Sequence, residues 1–162
     1  MSKPASLRVV FDCNVFLQAA VRESGPAAIC LGLAEHRHIQ LYTSKAILRE
    51  VREVLNRPEL QTRFITLTNE RVDAFMERLQ AVTKRLHRVP RAFSYPRDVD
   101  DEPYIDLAAA ANADYLVSRD KDLLHLMTGH NKECTEFRQK FRHLEIVEPE
   151  PFLQIVKTLR RP

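Results

Sequence analysis

Four short apolar runs, each breaking off at a polar residue and separated by segments of helical period, constrain this chain more than any other feature. They are LRVVFD at 7–12, IQLYTS at 39–44, DYLVS at 114–118 and LEIV at 144–147. β-branched and aromatic residues in runs this short read as buried strands. Between them, Ser24-Gly25-Pro26 opens a helix (AAICLGLAEH) with the proline in the first turn, where its missing N–H costs nothing. Ser44 caps KAILREVREVLNR, whose Ile47, Val51, Val54 and Leu55 form one apolar stripe, and Arg57-Pro58 stops it. Thr68 caps NERVDAFMERLQAVTKRLH, with apolar residues at 72, 75, 76, 79, 82 and 86 predicting helix throughout. YIDLAAAANA, KDLLHLM and EPFLQIVKTL are further helices, and 128–143 reads as polar loop with a helical turn or two. Strands alternating with helices predict a parallel sheet covered on both faces.

Length and composition agree with one α/β domain over 1–162, its core running from about 7 to 156. The 162 residues are 44% hydrophobic and 29% charged, enough to bury a core and unlike a disordered tail. Three cysteines without CxxC spacing give neither a disulfide framework nor a zinc ribbon. The run of His125, His130 and Cys134 follows no common zinc spacing and reads as polar loop. No stretch approaches a membrane span, and the N-terminal apolar run is short and interrupted by Arg8, so a cytoplasmic protein is expected. Cys30 sits on an apolar helix face as core. Leu31 and Leu33 suit either the core or a homodimer interface.

Acids stand where a parallel sheet places its active crevice, beyond the carboxyl ends of the strands. Asp12 closes the first run and Asp120 follows the third by two residues; Glu50 lies in the helix capped by Ser44, and Asp101 precedes Glu102-Pro103. Each has an ordinary role when taken alone, as turn former, cap or solvated surface group. Together they can converge at one rim. Two carboxylates at ~4 Å repel by about 4 kcal/mol at an effective dielectric near 20, so such a cluster holds protons or binds a hard cation. With oxygen ligands alone, Mg²⁺ or Mn²⁺ is the expected occupant. No GxxxxGK[ST] or GxGxxG cradle is present, which argues against an ATPase or dehydrogenase, and no DxDxT follows Asp12 as an aspartyl-phosphate phosphatase would need.

The order Asp12-x-Asn14 after an apolar strand, Glu50 within ILREVREVLNRP, DVDDEPYIDLAAAANADYLVSRDKDLL at 98–124 and then IVEPEPFL resembles the PIN-domain nucleases. It is most similar to the branch of toxin components of toxin–antitoxin pairs, relatives of VapC. The resemblance covers roughly 7–156 and is most specific from Asp98 to Leu124. It implies a three-layer α/β/α fold around a mainly parallel sheet, and metal-dependent cleavage of RNA phosphodiester bonds leaving 5′-phosphate and 3′-hydroxyl ends. Asp12, Glu50, Asp101 and Asp120 match the family's acidic quartet. Asn14 matches its companion asparagine, Ser118 the small hydroxyl residue before the last acid. Cys13 stands where the family has Thr or Ser. The third acid is Asp101 or Glu102, with Asp101 preferred and Asp98, Glu102 and Asp122 in support. One or two Mg²⁺ or Mn²⁺ ions held by Asp12, Asp101 and Asp120 would activate water, Glu50 completing a second site or orienting that water, and Asn14 would hydrogen-bond a liganding carboxylate. The resemblance also implies a cognate antitoxin as partner. An inactive PIN-like module that binds RNA or protein without cutting is the alternative.

The net charge of +3 conceals its distribution. The 25 basic residues are 18 Arg to 7 Lys, and arginine is the better fork for phosphate. Residues 78–97 carry six positive charges and no acid, and 98–102 then hold four acids in five positions. RNA is therefore expected on Arg85, Arg88, Arg91 and Arg97, with Phe93 and Tyr95 placed to stack on bases, the alternative being a simply charged helix surface with Phe93 plugging the core.

Overall fold

The computed structural model describes residues 6–160; the remaining residues of the expected 1–162 extent lie outside it. Its strands are β1 (Leu7–Phe11), β2 (Ile39–Ser44), β3 (Thr83–Leu86), β4 (Tyr115–Val117) and β5 (Glu145–Val147). Its helices are α1 (Cys13–Val21), α2 (Pro26–Glu35), α3 (Lys45–Leu55), α4 (Pro58–Arg63), α5 (Asn69–Val82), α6 (Glu102–Ala110), α7 (Lys121–Thr128), α8 (Lys132–Lys140) and α9 (Pro149–Leu159). The five strands form one sheet in the order β3-β2-β1-β4-β5, and every pairing is parallel. With helices flanking it, the sheet forms the middle of a three-layer α/β/α fold.

Burial explains the strand composition. Val9, Val10, Leu41, Tyr42, Leu116 and Val117 are all essentially inaccessible, as side chains of a sheet covered on both faces must be. Leu31 and Cys30 lie wholly within this core, and Leu33 packs partly buried against it. Ser44 caps α3 by accepting from the Ile47 N–H at 3.2 Å, as expected, and Thr68 caps α5 by accepting from the Arg71 N–H at 3.2 Å.

Four segments depart from the sequence reading, one of them α4 at Pro58–Arg63, where no element was expected. The helix expected to run through His87 ends at Val82, and Thr83–Leu86 cross over to pair with β2 from Leu41↔Thr83 to Ser44↔Leu86. Sheet pairing has overridden a helical period that Val82 and Leu86 satisfy by coincidence, and exposed Lys84 and Arg85 guard the resulting edge. The 128–143 segment contains a full helix, α8, whose N-cap Asn131 accepts from the Cys134 N–H at 2.9 Å and which buries Cys134 and Phe137. Gly129 permits that packing, since a Cβ there would lie 2.5 Å from Cys134 Sγ and 2.7 Å from the His125 ring. Residues 13–21, read as no element, form α1.

The strand order places a topological switch between β1 and β4: the chain leaves β1 for β2 and β3 on one side, then returns to β4 and β5 on the other. Ligands of open parallel sheets bind beyond the carboxyl ends of the strands at such a point. Asp12 and Ser118 follow directly on the register pair Phe11↔Val117 and stand there.

Candidate metal centre

Asp12 is the first residue after β1 and the N-cap of α1. It is 4% exposed, and both its oxygens are engaged: Oδ1 accepts from the Cys13 N–H at 2.6 Å and Oδ2 from the Ser118 hydroxyl at 2.7 Å. Ser118 is fully buried, and its oxygen in turn accepts from the Asp120 N–H at 2.9 Å. One small hydroxyl thus ties the β1 and β4 ends together. Asp120 caps α7, its Oδ1 accepting from the Asp122 N–H at 2.8 Å.

The third contribution comes from the loop before α6. A single 3₁₀ turn, Val99–Asp101, is capped by Asp98, whose Oδ1 accepts from the Asp100 N–H at 3.2 Å. This turn swings Asp101 inward. Asp98, Asp101 and Asp120 each offer a carboxylate oxygen, and these atoms all lie within 4.8 Å of one another. Asp101 is 5% exposed, and its buried Oδ2 has no hydrogen-bond partner among the described residues. A buried acceptor without a donor is rare because it carries its full desolvation cost.

The electrostatics follow from that crowding. Burial, then the charges of Asp120, Asp98 and Asp12, push the Asp101 carboxyl up to about 8. Burial also raises Asp12, to about 6, against the opposing hydrogen bonds from Ser118 and Cys13. An all-oxygen donor set, close-packed anions and an orphaned buried acceptor fit a hard divalent cation and no soft one.

Glu50 projects from α3 and accepts from the Tyr104 hydroxyl at 2.8 Å. Its charge is among those that raise Asp12, so it belongs to the same electrostatic group. Tyr104 is 1% exposed, a buried phenol on α6 that steadies Glu50 across the site; the sequence reading did not single it out. Cys13 is buried beside them. Burial first and Glu50 second push its thiol up to about 12, leaving it protonated and inert at neutral pH.

The supporting residues divide. Glu102, the rival third acid, turns away: it accepts from Arg91 at 3.0 Å and from the Tyr95 N–H at 2.6 Å, anchoring the preceding loop. Asp122 pairs with Arg97 at 2.7 Å. Asn14 is exposed, and among the described residues its side chain makes no hydrogen bond to a carboxylate, unlike the role expected for it. Of the arginines expected to meet RNA, Arg91 and Arg97 are therefore held by acids, whereas Arg85 and Arg88 are exposed without an ion pair among the described residues. The stacking expectation is corrected too. Tyr95 is fully buried and donates to the Asp122 carbonyl at 2.6 Å, and Phe93 packs edge-on against Phe137 and Phe141. His125, His130 and Cys134 do not converge as a metal site among the described residues.

Comparison with known proteins meets this geometry. A family model described as "PIN domain" matches residues 8–122. An "uncharacterized protein MJ1680" of Methanocaldococcus jannaschii is 28% identical over 149 residues, spanning 91% of this chain and 90% of that protein.

Proposed function

The chain belongs to the PIN-domain family, whose members are generally divalent-metal-dependent nucleases, and from that premise we propose that it is an endoribonuclease using Mg²⁺ or Mn²⁺. The observation that carries this reading is the convergence of the Asp98, Asp101 and Asp120 oxygens within 4.8 Å around a buried, unpartnered Asp101 Oδ2. A bound divalent ion supplies Lewis-acid activation of water and neutralises charge on the departing oxygen.

The chain's own residues have separable duties. Asp98, Asp101 and Asp120 would hold the ion. Asp12, whose two oxygens accept hydrogen bonds from Cys13 and Ser118, adds negative charge to the cluster and would serve as a ligand to a second ion. Glu50 uses one oxygen on the Tyr104 hydroxyl and has the other to orient a water or take its proton. No protein nucleophile is required, in keeping with the protonated Cys13 thiol.

The test is cleavage of a defined RNA and of single-stranded DNA with Mg²⁺, Mn²⁺ or EDTA. The expected result is cutting of RNA that EDTA removes and that Asp12→Asn and Asp120→Asn abolish in folded protein. RNA binding without cutting would establish the alternative of a non-catalytic module, and preferential cutting of DNA would overturn the RNA assignment. A toxin role is suggested by the resemblance of roughly residues 7–156 to the VapC-like branch. It predicts growth arrest on expression, relieved by a small DNA-binding protein encoded alongside.

A further inference from the structure

A cavity opens at the same end of the sheet as the acidic centre, over β2 and β3, and its chemistry is opposite. It has a volume of about 410 Å³ and is walled by Ser44, Lys45, Arg49, Leu86 and His87 among others. Ser44 and Leu86 end their strands as a register pair, and Ser44 stands level with Asp12 when the pairing Val10↔Tyr42 is extended by two residues. Neighbouring strands lie about 4.8 Å apart, so the cavity begins one to two strand spacings, roughly 5–10 Å, from Asp12.

None of Lys45, Arg49 and His87 is ion-paired to an acid among the described residues, and all three are exposed. Arg88 continues the patch beside His87, also exposed and unpaired among the described residues. This contrasts with Arg91 and Arg97, which acids already hold. The placement of Lys45 is locally unfavourable. Lys45 occupies the first turn of α3, where the helix dipole favours anions, and that turn contains no acid. Arg49 follows at i+4, a spacing at which like charges oppose the helix. Local rules broken without a local gain point to a ligand whose charge restores the balance.

We propose that the Lys45–Arg49–His87 cavity is a phosphate-binding subsite that seats the RNA backbone next to the scissile bond. The subsite rests on the nuclease reading above and deepens it, moving the substrate path from Arg91 and Arg97 to the carboxyl ends of β2 and β3. With the scissile phosphate at the acidic centre, a neighbouring phosphate on the same strand would meet the cations of this cavity, which begins within one to two strand spacings.

The experiment compares binding of a defined single-stranded RNA by fluorescence anisotropy across a salt series, using Asp120→Asn protein to prevent cutting, with and without Lys45→Ala/Arg49→Ala. Two lost phosphate contacts should reduce the slope of log K against log salt by about 1.4. A control pair on α8 and α9, Lys132→Ala/Lys157→Ala, should leave the slope unchanged. Equal slopes for the Lys45/Arg49 variant and its parent would overturn the subsite while leaving the nuclease reading intact, and would turn attention to an acidic protein segment as the occupant. A fall of the same size in the control pair would also overturn it, by showing diffuse attraction. Failure of the parent to bind RNA would overturn the reading on which the subsite stands.

Discussion

Asp101→Asn should make the metal-free protein more stable while removing its response to divalent cations. The Asp101 carboxyl moves from 3.8 to about 8 on folding, chiefly through burial and then through Asp120, Asp98 and Asp12. A raised folded value means that the folded state binds more protons than the unfolded state between these limits. Stability is therefore full below about pH 4 and declines as pH rises toward 8. At about 1.36 kcal/mol per pH unit, the penalty reaches the order of 4 kcal/mol at pH 7. Asparagine keeps the shape and removes the charge. For a chain of this size each kcal/mol moves Tm by roughly 2–4 °C, so metal-free Asp101→Asn should melt on the order of 10 °C above the parent at pH 7. The gap should close toward pH 4. Mg²⁺ at a hundred times its Kd should add about 2.7 kcal/mol to the parent and little to the variant. Thermal melts followed by circular dichroism, in EDTA and in Mg²⁺, between pH 4.5 and 8, measure all of this. A metal-free Asp101→Asn that melts below the parent, or equal Mg²⁺ shifts in both proteins, would refute the idea that Asp101 is held in place at a cost for the sake of a cation.

Tyr104→Phe removes the hydroxyl that steadies Glu50; it should slow cleavage while costing about 1 kcal/mol of stability, and unchanged cleavage would deny Glu50 a positioned role. Ser118→Ala deletes the link between Asp12 and the Asp120 N–H and should cost about 1–3 kcal/mol with a loss of metal affinity, read by calorimetric titration. Arg97→Ala breaks a partly exposed pair with Asp122, worth at most about 1 kcal/mol, and should leave the RNA salt slope unaltered; a slope reduced by about 0.7 would restore the arginine to the substrate path.

The fold was largely legible because parallel sheets advertise themselves. Strands buried on both faces are continuous apolar runs, and the runs ending at Phe11, Ser44, Val117 and Val147 needed no context to be found. What was not legible depended on partners distant in the chain. Thr83–Leu86 become a strand only because β2 presents an open edge, and α8 is a helix because Cys134 and Phe137 bury against the rest of the protein. The basic stretch at 78–97 was visible as composition, yet its division among α5, β3 and a loop was not. Nor could the sequence separate an arginine available for phosphate from one already neutralised by Glu102 or Asp122. Lys45 and Arg49 were passed over for the opposite reason. On a helix that also carries Glu50 and Glu53, they resemble an ordinary solvated helix face until the sheet register sets Ser44, at the start of that helix, level with Asp12.

The acids themselves show why cap and ligand were never competing descriptions. Asp12 caps α1, Asp98 the 3₁₀ turn and Asp120 α7, and Asp101 stands at the N-cap position of α6 without using its side chain. Helix N-termini carry partial positive charge, which offsets part of the mutual repulsion of carboxylates gathered there. Capping also decides which oxygens remain. Asp12 has both engaged by Cys13 and Ser118, Asp98 and Asp120 each spend one on a backbone N–H, and Asp101 spends neither on a cap. The oxygens left over belong mainly to Asp98, Asp101 and Asp120, and these are the three residues that converge. Asp98, which the resemblance placed only in support, thereby offers an oxygen beside those of Asp101 and Asp120, while Asp12 keeps both of its oxygens on hydrogen bonds from Cys13 and Ser118.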